Sequence, residues 1–158
     1  MAVDVKVSVM RVVLHAVSVT PSRGRPLRTG QRIRIATEIV ASYCAARWWI
    51  VRLSFPESVI AARNVRPRSP LGLEEGELDA AGIRLGYAVQ RTLRALPVDS
   101  RCLVTALVLT RMLARRGIKH TFVLGVRAQP RFTAHAWVER GAVALLPTEP
   151  EFQRLLEL

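Results

Sequence analysis

The feature that most constrains the fold is an almost wholly apolar segment in the C-terminal half, delimited by helix signals at both ends. Asp99 or Ser100 can cap a helix and Gly117 can end it, while Arg115 and Arg116 suit the negative end of its dipole. The apolar side chains between these signals are Leu103, Val104, Ala106, Leu107, Val108, Leu109, Met112 and Leu113. They leave almost no polar face, so we predict a central, buried helix.

The pattern changes to a period of two after this helix. Apolar and polar residues alternate over residues 121–127 and again over 132–139, with turn formers at 128–131 between them. This arrangement is typical of a β-hairpin. A third apolar run, 142–146, follows a turn at 140–141. A helix followed by antiparallel strands predicts an α+β fold, with the buried helix packed on a small antiparallel sheet.

The N-terminal part contains one strand pattern and one long helix pattern. Residues 3–13 alternate as a half-buried strand would, and turn formers and charges at 20–26 predict a loop or connector. An amphipathic helix is predicted over 31–53. Its apolar face consists of Ile39, Tyr43, Ala46 and Ile50, and its polar face of Arg34, Glu38 and Ser42.

Two further helices are predicted before the apolar segment. Residues 54–57, Ser-Phe-Pro-Glu, have the form of a capping box and predict a short helix that ends near Arg66. Prolines, glycines and acidic residues over 67–82 predict a long surface loop. A helix is then predicted over 79–95 from its apolar periodicity.

Length and charge bound the kind of protein. The chain has 158 residues, which is enough for one compact domain. Within it we expect an N-terminal strand and helical region over 1–78 and a core over 79–158 that contains the buried helix and the hairpin. The formal net charge of +12 favours acidic partners of some kind.

The cysteines and histidines give no sign of a disulfide framework or a metal site. Cys44 and Cys102 are the two cysteines, and the N-terminus has no secretory pattern, so we expect a reduced, cytoplasmic protein. Cys44 lies inside a predicted helix and is expected to pack. His15 and His120 lack metal-ligand spacing with any cysteine pair, and no phosphate-binding loop occurs. We therefore expect no metal and no cofactor, and charges within 31–53 argue against a membrane span.

Cys102 lies where a buried helix would begin, and His135 lies in the middle of a predicted strand. Unpaired N–H groups and the positive end of the helix dipole stabilise a thiolate there, although a cysteine that only packs is equally compatible with this segment. A single strand histidine is more often structural, yet imidazole is the base that a cysteine nucleophile requires. Trp137, on the face of His135, is predicted either to shield the site or to pack in the core.

Around these two residues the sequence resembles the lasso-peptide biosynthesis B2 proteins, leader peptidases of transglutaminase-like, papain-like fold. The resemblance lies in residues 80–146. It is carried by Arg101-Cys102-Leu103 and the apolar helix, by Leu113-Ala-Arg-Arg-Gly-Ile118, by Val123-Leu-Gly-Val-Arg127 and by Ala134-His-Ala-Trp-Val-Glu139.

The resemblance implies a cysteine peptidase in which Cys102 attacks and His135 is the base. Its substrate would be a ribosomally made precursor peptide, from which it removes the leader. A small separate B1 protein would supply leader recognition, and the lasso macrolactam synthetase is a further candidate partner. No nucleic acid is expected as a partner, and no membrane contact.

The family pattern also implies an acidic residue on the next strand that orients the histidine. Apolar residues occupy that region here, and Glu149 is the nearest downstream carboxylate, so it is the predicted third member. Thr148 could bond the imidazole instead, and Glu139 shares the face of His135. A dyad without a third member is the remaining alternative.

Two other functions stay open at this stage. The same cysteine and histidine could pass an acyl group to an amine, which would make the protein an acyltransferase or an amidase. The charge of +12 would also suit a basic nucleic-acid-binding or adaptor protein without catalytic activity. Its basic residues are scattered, however, and do not form a recognisable nucleic-acid-binding module.

Overall fold

The computed structural model describes residues 29–67, 74–98, 101–148 and 151–158. These contain four helices followed by four strands. The helices are α1 (Thr29–Arg52), α2 (Phe55–Arg63), α3 (Glu75–Ala95) and α4 (Cys102–Ala114), and the strands are β1 (Thr121–Arg127), β2 (Thr133–Arg140), β3 (Val143–Ala144) and β4 (Gln153–Glu157). The strands form one antiparallel sheet in the order β3-β2-β1-β4.

Helix α4 is the centre of the molecule. It contacts α1, α2, α3 and strand β2, and its side chains from Ala106 to Leu109 are fully buried. Almost every face of this helix is apolar, so exposing any of these faces to water would lose a large amount of apolar burial. The predicted α+β fold, with a buried cysteine-bearing helix packed on a small antiparallel sheet, is confirmed.

The buried stripe of helix α1 overlaps the predicted apolar face only at Ile39 and Ala46. The buried residues of this helix are Ala36, Ile39, Ser42, Ala46 and Trp49. Ser42 is therefore buried, although it was assigned to the polar face. Cys44 was expected to pack, and this prediction is wrong because position 44 falls on the opposite side of the stripe and is exposed.

The capping box before α2 is confirmed, since the Ser54 N–H donates to the Glu57 carboxylate at 2.8 Å. The helix ends at Arg63, three residues before the predicted end. The predicted loop over 67–82 is wrong in its second half. Helix α3 already begins at Glu75, because the N–H of Glu74 donates to Glu77 at 3.3 Å and caps the first turn.

The hairpin of β1 and β2 is confirmed, with Gly125 directly opposite His135. The third apolar run forms only the two-residue strand β3. Strand β4 was not predicted, because its five residues are all exposed and show no alternation in burial. It pairs with β1 as an edge strand and so brings residues 151–158 to that edge of the sheet.

Several predictions fall on residues outside the described ranges. They concern the strand at 3–13, the connector at 20–26, the side chains of Asp99 and Ser100, and Glu149. The predicted cap at Asp99 or Ser100 is nevertheless wrong, since the N-cap of α4 is Arg101. Within the described part, no helix combines the length and the apolar character that crossing a bilayer requires.

Candidate active site

Cys102 is the first residue of helix α4. Arg101 precedes it in extended conformation as the N-cap, and the Arg101 carbonyl accepts the first helical hydrogen bond, from Thr105 N–H at 3.1 Å. The first N–H groups of a helix have no partner within the helix, and they point outward with partial positive charge. The cysteine sulfur therefore lies where both a thiolate and an oxyanion are favoured.

Cys102 and His135 line the same cleft, and hydrogen bonding with the imidazole of His135 is the largest influence on the thiol. It lowers the pKa of Cys102 below its ordinary value. Partial burial opposes the shift, while N–H groups of Ala136 and Leu103 and the charge of a protonated His135 add to it. The surroundings thus favour a thiolate paired with an imidazolium.

The other side of the imidazole is held by a backbone carbonyl. His135 Nε2 lies 3.1 Å from the carbonyl oxygen of Pro147, in the segment that follows β3. When Nε2 carries a proton and donates it to this oxygen, Nδ1 is the nitrogen left to exchange a proton with Cys102. A backbone acceptor can therefore fix both the orientation and the tautomer of the base.

The candidates for a third member are placed differently from one another. Glu149 lies outside the described residues. Thr148 is exposed, and among the described residues its hydroxyl makes no hydrogen bond to the imidazole. Glu139 bonds Trp137 and Arg154. The sequence could not indicate the carbonyl of Pro147 as a partner of His135, because every residue has a backbone carbonyl group.

Two glycines of α3 hold the segment that carries this carbonyl. Gly82 and Gly86 lie one turn apart, and Leu145 rests against them. A Cβ atom at position 86 would lie only 2.0 Å from the Leu145 carbonyl oxygen. The close approach of Leu145 to α3 places Pro147, two residues later, against His135.

The substitution Gly86→Ala is expected to lower the free energy of unfolding by about 1–3 kcal/mol, because the new methyl group meets backbone that cannot rotate away. Urea unfolding followed by circular dichroism measures this change. Gly76→Ala is the matched control on the same helix, since no atom lies within 4 Å of the added Cβ. We expect Gly76→Ala to leave stability unchanged or to raise it by up to about 1 kcal/mol. Equal effects of the two substitutions would contradict the close contact.

Two aromatic rings enclose the imidazole. The ring of Trp137 stacks on His135 with centroids 5.9 Å apart and planes 19° apart, and Phe152 approaches His135 at 5.2 Å. Gly125, opposite His135, makes room for this arrangement, because a Cβ there would lie 2.7 Å from the indole ring. Trp137 is buried, so it both packs in the core and shields the base.

Glu139 positions the indole of Trp137. Its carboxylate is buried and accepts a hydrogen bond from Trp137 Nε1–H at 2.6 Å. The other carboxylate oxygen accepts from Arg154 on β4, also at 2.6 Å, and Arg154 in turn pairs with Glu157. Glu139 therefore acts on the imidazole through the ring that stacks on it.

Replacing Glu139 with glutamine is expected to destabilise the fold by about 1–3 kcal/mol, because a buried charged acceptor loses its hydrogen bond to a cationic donor. Glu157→Gln is the matched control, since Glu157 shares Arg154 but is half exposed. We expect the control to change the stability by less than about 0.5 kcal/mol. Chemical denaturation of both variants provides the comparison, and a loss as large for Glu157→Gln would rule out this role of Glu139.

A cleft of about 190 Å³ opens above the cysteine. It is lined by Gln90, Arg94, Cys102, Thr105, His135, Ala136 and Leu146. The reacting groups therefore face a space of limited size that a ligand can enter. The cleft has two walls, since α3 supplies Gln90 and Arg94 while α4 and β2 supply the thiol and the imidazole.

The sequence reasoning missed three side chains of this region. Gln90 and Arg94 have helical spacing within the predicted third helix, and neither was proposed as a site residue. Phe152 reaches His135 only because β4 brings the C-terminal segment back beside β1. The spacing of Gln90 and Arg94 could have indicated a shared face, but no local pattern indicates what that face adjoins.

Comparison with known proteins identifies the family. A family model described as the transglutaminase-like superfamily matches residues 40–156, nearly three quarters of the chain. No curated protein and no solved structure shows significant similarity to the chain. The matched region includes Cys102, His135, the first three strands and most of β4. With the fold described above, this match shows that the chain belongs to the transglutaminase-like superfamily.

Proposed function

We propose that this protein is a cysteine peptidase that removes the leader from a ribosomally made lasso precursor peptide. Members of the transglutaminase-like superfamily are typically cysteine-dependent enzymes. The observation that carries the proposal is the hydrogen-bonded pair of Cys102 and His135 at the beginning of a buried helix. The resemblance of residues 80–146 to the lasso B2 proteins supplies the substrate class.

The proposed reaction uses this pair twice. The Cys102 thiolate attacks the carbonyl carbon of the scissile bond, and helix N–H groups stabilise the oxyanion. Protonated His135 gives its proton to the leaving nitrogen, so the core peptide departs with a free N-terminal amine. The leader stays bound to sulfur as a thioester. Water, deprotonated by His135, then attacks the thioester and releases the leader with a carboxylate end and the free thiol.

The size of the cleft supports recognition of the leader by a second protein. A space of about 190 Å³ holds the residues next to the scissile bond and cannot enclose a folded leader segment. Affinity for the remainder of the leader must come from another surface. A separate leader-recognition protein of the B1 kind would supply that surface, and the released amine is what a macrolactam synthetase needs.

The test is cleavage of a lasso precursor peptide, with and without a small B1 protein, followed by mass spectrometry. We expect two products whose masses add up to precursor plus one water, and faster cleavage when B1 is present. Transfer of the leader to an added amine in preference to water would instead identify an acyltransferase. An intact precursor together with strong, salt-sensitive binding to random duplex DNA would support the basic binding protein.

A further inference from the structure

One wall of the cleft carries a positive charge that the proposed reaction does not use. Gln90 and Arg94 lie one turn apart on α3 and both line the cleft, opposite Cys102 and His135. Residues four apart in a helix lie on the same face, so the amide and the guanidinium are directed to the same space. A substrate acyl group bound at the sulfur would share the cleft with them.

Arg94 is an exposed arginine that lines the cleft, and it lacks the acidic partners that some other arginines in the described part of the chain have. Arg140 pairs with Glu75 and Asp79, and Arg154 pairs with Glu139 and Glu157. Arg94 forms no ion pair and no side-chain hydrogen bond with any residue that the structure describes. A guanidinium in a partly enclosed cleft without a carboxylate is a ready binding group for an anion.

We infer that Arg94 is a specificity-determining residue that binds a side-chain carboxylate of the substrate peptide within about two residues of the scissile bond. The position follows from the dimensions, because a sphere of 190 Å³ is about 7 Å across and an extended chain advances about 3.4 Å per residue. The amide of Gln90 can bond the same carboxylate or the neighbouring peptide group. The identification of the ligand as a peptide rests on the proposed function, whereas the preference for a carboxylate rests on the cleft alone.

The preference can be measured without the natural substrate by alkylating Cys102 with small peptide-like probes. In each reaction the thiolate sulfur forms a bond to the probe's methylene carbon and iodide leaves. Iodoacetyl-glutamic acid α-amide carries a side-chain carboxylate, iodoacetyl-glutamine carries a terminal carboxylate, and iodoacetyl-glutamine amide is neutral. The background variant is Cys44→Ala, because Cys44 is exposed and would also react.

We expect the probe with the side-chain carboxylate to react about fivefold faster than the neutral probe, the ratio that one partly exposed ion pair gives. Arg94→Gln should bring this ratio close to one, and Arg94→Lys should retain most of it. Arg91→Gln is the matched control, because Arg91 is exposed on the same helix and does not line the cleft. The control should keep the ratio of the background protein.

Three results would overturn the inference. They are equal rates for the side-chain and neutral probes, an unchanged ratio in Arg94→Gln, and a preference confined to the probe with the terminal carboxylate. The outcome is separate from that of the precursor assay. A protein that prefers the acidic probe but leaves the precursor intact would keep the carboxylate subsite and lose the leader-peptidase function. Cleavage of the precursor by a protein that shows no preference among the probes would keep the leader-peptidase function and overturn the carboxylate subsite.

Discussion

Cys102→Ala is expected to abolish cleavage of the precursor, with a rate at least about a thousandfold below that of the unmodified protein. The reason is chemical, since a methyl group cannot form the thioester. Cleavage is followed by mass spectrometry at equal enzyme concentrations. The thiol is only partly buried, so we expect little change in stability, which thermal unfolding would verify.

Cys44→Ala provides the matched control for this experiment. Cys44 is exposed on α1 and lies outside the cleft, so its removal should leave the cleavage rate unchanged. Loss of cleavage in the Cys44 variant, or cleavage by Cys102→Ala at the normal rate, would show that the nucleophile has been assigned to the wrong residue.

His135→Ala is expected to reduce cleavage by a factor of about 10² to 10⁴, the usual contribution of a positioned general acid and base. The variant loses the largest influence that lowers the pKa of the Cys102 thiol, so that pKa should rise. It also loses the proton donor for the departing amine. Both changes act in the same direction on the rate at neutral pH.

Thr133→Ala is the control for the histidine variant. Thr133 lies two positions before His135 on the same face of β2, but it is exposed and bonds only the nearby Arg131 carbonyl among the contacts described. We expect the cleavage rate of Thr133→Ala to stay within about twofold of normal. A comparable loss in both variants would attribute the histidine effect to disturbance of the strand.

Much of the fold could be predicted because its signals are local. The apolar segment of α4 and the alternation of β1 and β2 each lie within about a dozen residues, and their order already determines an α+β architecture. Helix α3 was assigned too late a beginning, because glycines and acidic residues were taken as loop formers. Glu74 and Glu77 instead cap the helix, which acidic residues favour at an N-terminus.

In the site too, local sequence patterns predict some features, while others depend on contacts between distant parts of the chain. The position of Cys102 at a helix beginning follows from its own segment, whereas its contact with His135 needed the resemblance to a known family. The Pro147 carbonyl could not be predicted at all, since it depends on Leu145 fitting against Gly86, nearly sixty residues earlier. The predicted acidic third member, Glu149, lies outside the described residues and stays a prediction.

The most direct test of the account is the pH dependence of the alkylation of Cys102 by iodoacetamide, measured in Cys44→Ala and again with His135→Ala added. The thiolate is the reactive form, so a lowered pKa keeps the reaction fast as the pH falls. We predict that the protein with His135 is still alkylated rapidly at pH values below the ordinary pKa of a cysteine thiol. Without His135, the curve should move to higher pH, because the largest cause of the lowered pKa is gone. Identical curves for the two proteins would contradict the thiolate–imidazolium pair on which the proposed function depends.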